Sequence, residues 1–275
     1  MTESFSRGLD RHLGDRRTFL TVGLDPRPGG LPAPLADLPE TEGLRSFLRG
    51  IVEATREHCV AYKLQFASYL AFGVEGIRIL SEVRKEIGKD HLVMLDLKAA
   101  DIPSTMELYR TGVMDRLGFD AMTVNPFLGW ETIETLLKED GKGFFVLLHT
   151  SNAGAKDLQE AKLEKGEVLW QSLIPPLRAL ARTGNVGAVV GATYPAALTE
   201  VRAGLGGTVP LLVPGIGKQG GSLEEVLTRA KGEGHGALLI NASRSILEAS
   251  RGPDWKEAAG AEAARLTRAM QGAFR

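Results

Sequence analysis

The sequence predicts an α/β chain closed as a (β/α)8 barrel, and three observations carry that expectation. Eight short runs of apolar and β-branched residues recur between residues 18 and 243. Such near-continuous apolar runs suit strands buried on both faces, as in parallel sheets. Helical patterns with apolar residues three and four apart separate them. The length of 275 residues also suits eight strand–helix units, since such barrels take about 250. An open doubly wound sheet alternates in the same way, but it would place a Gly-rich fingerprint after the first strand. Here that strand ends Gly23-Leu24-Asp25-Pro26.

TFLTVGLD (18–25) is the first strand. PRPGGLPAPLADLP (26–39) then reads as a long loop on the C-terminal rim, part of an insertion spanning 26–43. It is no linker, because strand one cannot close a core without the later strands and helices. EGLRSFLRGIVEATREH is helical and leads to CVAYKLQF (59–66). VEGIRILSEVRKEI is the next helix, before HLVMLDLK (91–98). Ser104 with Glu107 fits an S-x-x-E capping box. AMTVNPF (121–127), the helical WETIETLLKED and GFFVLLHTS (143–151) come next. A polar insertion, 152–167, precedes VGAVVGAT (186–193) and PLLVPGIG (210–217). Ser222 with Glu225 offers a second capping box before GALLINAS (236–243), and an Ala-rich helix runs from about Asp254. The expectation is one domain over 1–275.

Lys and Arg number 33 against 34 Asp and Glu, a net charge of −1 with no long charge run. That argues against nucleic-acid binding. The single cysteine, Cys59, cannot form an intramolecular disulfide or a CxxC site and reads as core. His12, His58, His91, His149 and His235 are scattered without metal-ligand spacing. No stretch approaches the roughly 18–20 apolar residues that span a bilayer, and MTESFSRGLDRHLGDRR is too polar for a signal peptide. The expected setting is reducing and cytoplasmic, with no membrane partner. Trp130, Trp170 and Trp255 read as packing residues.

Catalytic groups of such barrels sit at the C-terminal strand ends. Those ends supply Asp25, Lys63, Asp96 with Lys98, Asn125, Ser151, Thr193, Gly215 and Ser243-Arg244. LDLKAADIPST is the sharpest segment. Asp96 and Lys98 are two apart and leave one face of a strand, with Asp101 three residues on. A solvated charge cluster would be worth little, but this alternation sits in an otherwise apolar strand and so faces the barrel mouth. Lys63 alone reads equally as a snorkelling rim lysine, and Asp25 before Pro26 as a turn former; projection into the same mouth raises both. PGIGKQGGS, with Arg244 on the next strand, reads as an anion site, because these barrels commonly hold phosphate after strands seven and eight. Thr150-Ser151-Asn152 suits either a polar ring or ordinary turn chemistry.

LDLKAADIPST resembles the Asp-x-Lys-x-x-Asp-Ile-x-x-Thr signature of the orotidine 5′-phosphate decarboxylases. GLDPRP, AYKLQF, TVNPFLG, LHTSNAGA, GATYP, PGIGKQGG and SRSI extend the resemblance over nearly the whole TIM barrel, to the longer bacterial branch. The resemblance implies a homodimeric decarboxylase acting on orotidine 5′-monophosphate without metal or other cofactor. It assigns Asp25 and Lys63 to the ribose hydroxyls and the charged network. Asp96, Lys98 and Asp101 complete the network, with Lys98 as proton donor. Asp101, Ile102 and Thr105 would enter the neighbouring subunit's site. Ser151 and Gln219 would contact the pyrimidine or close a lid over it, and Pro214 would wall the carboxylate pocket. Gly215, Gly217 and Arg244 fall to the phosphate end. Many members have Gly immediately before that arginine, where this chain has Ser243; Lys218 receives no role.

The implied chemistry explains the charges. Loss of carbon dioxide from C6 of orotate leaves an sp2 carbanion outside the ring π system, so stabilisation must be electrostatic and positional. A cationic Lys98 aimed at C6 would stabilise that charge and then protonate it. Flanking carboxylates would stabilise the ammonium, and Asp96 would crowd the departing carboxylate. The rival expectations are a magnesium-dependent phosphosugar decarboxylase, which would want a carboxylate where Lys63 stands, and a non-catalytic nucleotide-binding protein.

Overall fold

The computed structural model describes residues 3–138, 141–216 and 220–274. Eight parallel strands close into a barrel in sequence order: β1 Leu20–Gly23, β2 Ala61–Gln65, β3 Leu92–Ala99, β4 Ala121–Val124, β5 Gly143–His149, β6 Val186–Val190, β7 Leu211–Pro214 and β8 Leu238–Ala242. Val22 marks the closure, paired with Tyr62 on one side and Ala242 on the other. All eight expected runs form strands. Most stop short of the predicted C-terminal limits, because the trailing residues, such as Asp25, Asn125 and Ser151, leave the sheet to build the rim. That exit places the functional side chains at one end of the barrel.

The barrel is closed at its other end by a helix that the sequence pattern does not announce, Phe5–Arg16. It buries Phe5, Leu9 and Leu13, which are four apart on one face. Phe5 sets its ring edge against Phe145 at 5.8 Å, and its backbone N–H donates to Asn185 Oδ1 at 3.2 Å. The anticipated C-terminal helix runs Trp255–Gln271. Gly50, in the helix Glu40–Thr55, lets Trp255 pack there: a Cβ on Gly50 would stand 2.1 Å from the indole ring. Cys59 and Trp170 are buried core, while Trp130 and Trp255 pack partly buried against it.

Several local expectations need correction. The helix Pro103–Arg110 is capped by Ile102 without a side-chain bond, so Ser104 and Glu107 form no capping box. Pro103 in the first turn has its φ preset for a helix and starts it before Ser104; Glu107 bonds Thr135 and Lys138 instead. Ser222 does cap its helix, accepting from Glu225 N–H at 3.3 Å. Among the described residues of WETIETLLKED, the helix is Glu131–Glu134. The 26–43 insertion contains the short helix Ala33–Ala36 and the start of Glu40–Thr55. The 152–167 insertion contains Ala155–Leu158 and is tied to the end of β5 by a His149–Glu160 contact at 3.2 Å.

Candidate active site

A charged network occupies the C-terminal mouth, built outward from a break in β3. The register of β3 against β4 slips between Leu95 and Ala99, and Lys98 has φ +53°. A non-glycine residue in that region costs on the order of 1–3 kcal/mol, and such strain concentrates at functional sites. Asp96 and Lys98 therefore meet across a bulge rather than along a regular pleat. Lys98 Nζ donates to Asp96 Oδ1 at 2.6 Å. Thr123 on β4 pins the bulge: its Oγ1 accepts from Lys98 N–H at 2.9 Å and donates to Asp96 Oδ1 at 2.8 Å.

The network continues across the mouth. Lys63 Nζ, on β2, donates to Asp96 Oδ2 at 3.1 Å and to Asp25 Oδ1 at 3.5 Å. Asp25 Oδ1 also accepts from Gln65 N–H at 3.1 Å, while Asp25 Oδ2 accepts the Ser243 hydroxyl at 2.7 Å. Two carboxylates thus alternate with two ammonium groups. Burial is the largest influence on Lys63 and favours its neutral form, but Asp25 and Asp96 together outweigh it and raise its pKa above the ordinary lysine value. Burial likewise opposes ionisation of Asp96, yet Lys63 and Lys98 hold its carboxyl well below the usual range. The Lys63 side chain is only 4% exposed, whereas that of Lys98 is 44% exposed and reachable from the mouth.

Two adjoining cavities share Lys63, Asp96 and Pro214 as a common wall. The larger, about 550 Å³, is bounded by Asp25, Gly215, Ser243 and Arg244. Gly215 has φ +99°, a conformation that gives the loop its sharp exit from β7. The smaller, about 340 Å³, has Leu147, Val189 and Leu212 as apolar lining and Lys98, Ser151 and Gln159 as polar groups. Gln159 comes from the 152–167 insertion and accepts Thr150 N–H through Oε1 at 2.8 Å. The division suits a ligand with a flat polar ring at one end and an anionic group at the other.

Asp25, Lys63, Asp96 and Lys98 therefore come together as the sequence suggests, and Ser151, Pro214, Gly215 and Arg244 line the cavities. Asp101, Ile102 and Thr105 do not join them within one chain. Asp101 Oδ1 accepts the neighbouring Ile102 N–H at 2.8 Å, and Ile102 is 56% exposed. Gly217, Lys218 and Gln219 lie outside the described residues. Asn125 serves its turn, accepting Phe127 N–H at 3.1 Å. Sequence reasoning misses Thr123 and Asn241, although each is a polar residue in an otherwise apolar strand.

The chain resembles known proteins over almost its full length. Residues 18–259 match the family described as orotidine 5′-phosphate decarboxylase / HUMPS. An orotidine 5′-phosphate decarboxylase from Thermomicrobium roseum is 41% identical, covering 96% of this chain and 93% of that protein. One from Roseiflexus castenholzii is 37% identical, with 99% of both covered. The structure of Leishmania donovani OMP decarboxylase superposes with a TM-score of 0.82 at 32% identity, covering 98% of this chain and 99% of that one. Barrel, strand-end charges and sequence agree: the chain belongs to the orotidine 5′-phosphate decarboxylase / HUMPS family.

Proposed function

We propose that the chain decarboxylates orotidine 5′-monophosphate to uridine 5′-monophosphate and carbon dioxide, a step of pyrimidine synthesis, without a metal ion. The observation that carries this reading is the Lys98 ammonium, which lines the smaller cavity and is held at 2.6 Å by Asp96, part of the wall both cavities share. The smaller cavity takes the pyrimidine, with Ser151 at its polar edge and Pro214 beside the carboxylate. The larger takes ribose against Asp25 and Lys63, and phosphate against Gly215 and Arg244; Gly217 and Gln219, outside the described residues, are assigned to the phosphate and the pyrimidine by the family resemblance alone. Asp96 disfavours the bound carboxylate. As the C6–carboxylate bond breaks, the electron pair stays on C6, Lys98 stabilises it, and an Nζ proton passes to C6. Lys98 then regains a proton from solvent. Phosphate contacts remote from C6 contribute binding energy that positions the ring.

The partner is a second copy of the chain. Ile102, Leu108, Tyr109, Phe127 and Leu128 are exposed apolar residues on the segments after β3 and β4, the kind of surface that marks an interface. In a homodimer, Asp101, Ile102 and Thr105 reach the neighbouring site. No described helix is long and apolar enough to cross a membrane, and the proposed location is the cytoplasm.

The test is loss of orotidylate absorbance with and without EDTA. Turnover unchanged by EDTA is expected. Orotidylate turnover abolished by EDTA and restored by magnesium would overturn the metal-free reading, whereas no orotidylate turnover together with magnesium-dependent decarboxylation of a 3-keto phosphosugar would point to the phosphosugar branch. Tight binding of a uridylate analogue with no absorbance loss would leave a nucleotide-binding protein.

A second expectation concerns Arg244→Ala. It should raise KM for orotidine 5′-monophosphate by about tenfold or more, since hydrogen bonds to charged groups are worth roughly 1.5–3 kcal/mol. Added guanidinium should recover part of the loss. A substrate lacking phosphate should barely distinguish the variant from the parent; equal losses on both substrates would sink the phosphate assignment.

A further inference from the structure

Ser243 stands between the end of β8 and Arg244, and its hydroxyl both donates and accepts a side-chain hydrogen bond. Its Oγ donates to Asp25 Oδ2 at 2.7 Å and accepts from Asn241 Nδ2 at 3.1 Å. A hydroxyl has one proton to give. Asp25 Oδ2 is an acceptor only, so that proton goes to Asp25 and the Asn241 amide must present its N–H end. Asn241 is itself buried in β8, which makes it a fixed base for the chain of bonds.

Asp25 is consequently held from two sides. Its Oδ1 takes Lys63 Nζ and Gln65 N–H from β2, and its Oδ2 takes Ser243 beyond β8. A carboxylate has about four acceptor positions; three are filled, and the fourth, on Oδ2, is left for a ligand in the larger cavity. Gly23 is the steric counterpart. A Cβ there would fall 1.8 Å from Ser243 Oγ and 2.8 Å from its Cβ, so β1 must carry glycine for Ser243 to reach Asp25.

We propose that Ser243, aimed by Asn241 and admitted by Gly23, is a positioning residue that fixes the Asp25 carboxylate and thereby sets how strictly the site requires ribose hydroxyls. This rests on the assignment of Asp25 to the ribose.

The experiment compares kcat/KM for orotidine 5′-monophosphate and its 2′,3′-dideoxy analogue in the parent, Ser243→Ala, Gly23→Ala and Asp25→Asn chains. Ser243→Ala should lose about tenfold on the ribose substrate and little on the dideoxy one, narrowing discrimination. Gly23→Ala should do the same by displacing the Ser243 side chain. Gly23→Ala with Ser243→Gly should be no worse than Gly23→Ala alone, because the two act through one contact. A general packing defect would lower both substrates equally, and that result, or an unchanged Ser243→Ala, overturns the proposal. If Gly23→Ala fails to fold by circular dichroism, the Ser243→Ala ratio decides alone. A parent that turns over neither substrate refutes the decarboxylase reading itself. Turnover with undiminished discrimination in Asp25→Asn refutes the ribose assignment and this proposal with it.

Discussion

Lys98→Ala should reduce turnover of orotidine 5′-monophosphate by at least ~10⁴-fold, while a uridylate analogue still binds measurably. General acid catalysis contributes about 10²–10⁴-fold, and electrostatic stabilisation of the developing charge adds a further term. Both act in the transition state and neither is needed for ground-state binding. Lys63 cannot substitute, because its ammonium lies between Asp25 and Asp96 and its side chain is 4% exposed. Lys98→Gly makes the comparison sharper. Residue 98 sits at φ +53°, which glycine adopts without strain. Lys98→Gly should therefore be at least as stable as Lys98→Ala and equally inactive, separating the amine from the backbone. Single-turnover absorbance and calorimetric titration with the analogue give the two readouts. Near-native turnover in either variant would remove Lys98 as the proton donor.

The legibility of the site depends on how local each interaction is. The eight strands stand out because most of their residues are buried, whichever face they point to, which leaves largely apolar runs. The pairing of Asp96 with Lys98 is legible from spacing alone, although the route differs: a bulge and a positive φ bring them together, and no periodicity encodes that. The helix Phe5–Arg16 is not legible, since Phe5, Leu9 and Leu13 stand among Arg, Asp and His, and its partners Phe145 and Asn185 are remote in sequence. Thr123 reaches Asp96 across 27 positions and Ser243 reaches Asp25 across 218. A hydroxyl in an apolar strand is visible in the sequence; its partner is set by barrel closure. Asp101 is the converse case, conspicuous in the sequence beside Lys98 yet turned onto Ile102 N–H within its own chain.

That orientation yields the second large expected effect, an activity recovered by mixing two inactive proteins. Asp101 is three residues from Lys98, so the simplest expectation for one chain would put both in one site. Instead Asp101 accepts the N–H of Ile102, the exposed residue that follows it, and the proposed dimer would carry both to the partner's site. If the proposed homodimer forms, the Lys98→Ala and Asp101→Ala proteins should each be inactive, for different reasons. After subunit exchange, a hybrid dimer has one site with Lys98 of its own and Asp101 from the other chain; its second site lacks both. Random exchange makes about half the dimers hybrid, with one site in two intact, so roughly a quarter of parental activity should return. Native mass spectrometry verifies the exchange independently of activity. If hybrids form and activity stays at the level of the separate variants, Asp101 acts within its own chain. A loop rearrangement on ligand binding, rather than a partner subunit, would then have to bring it to Lys98.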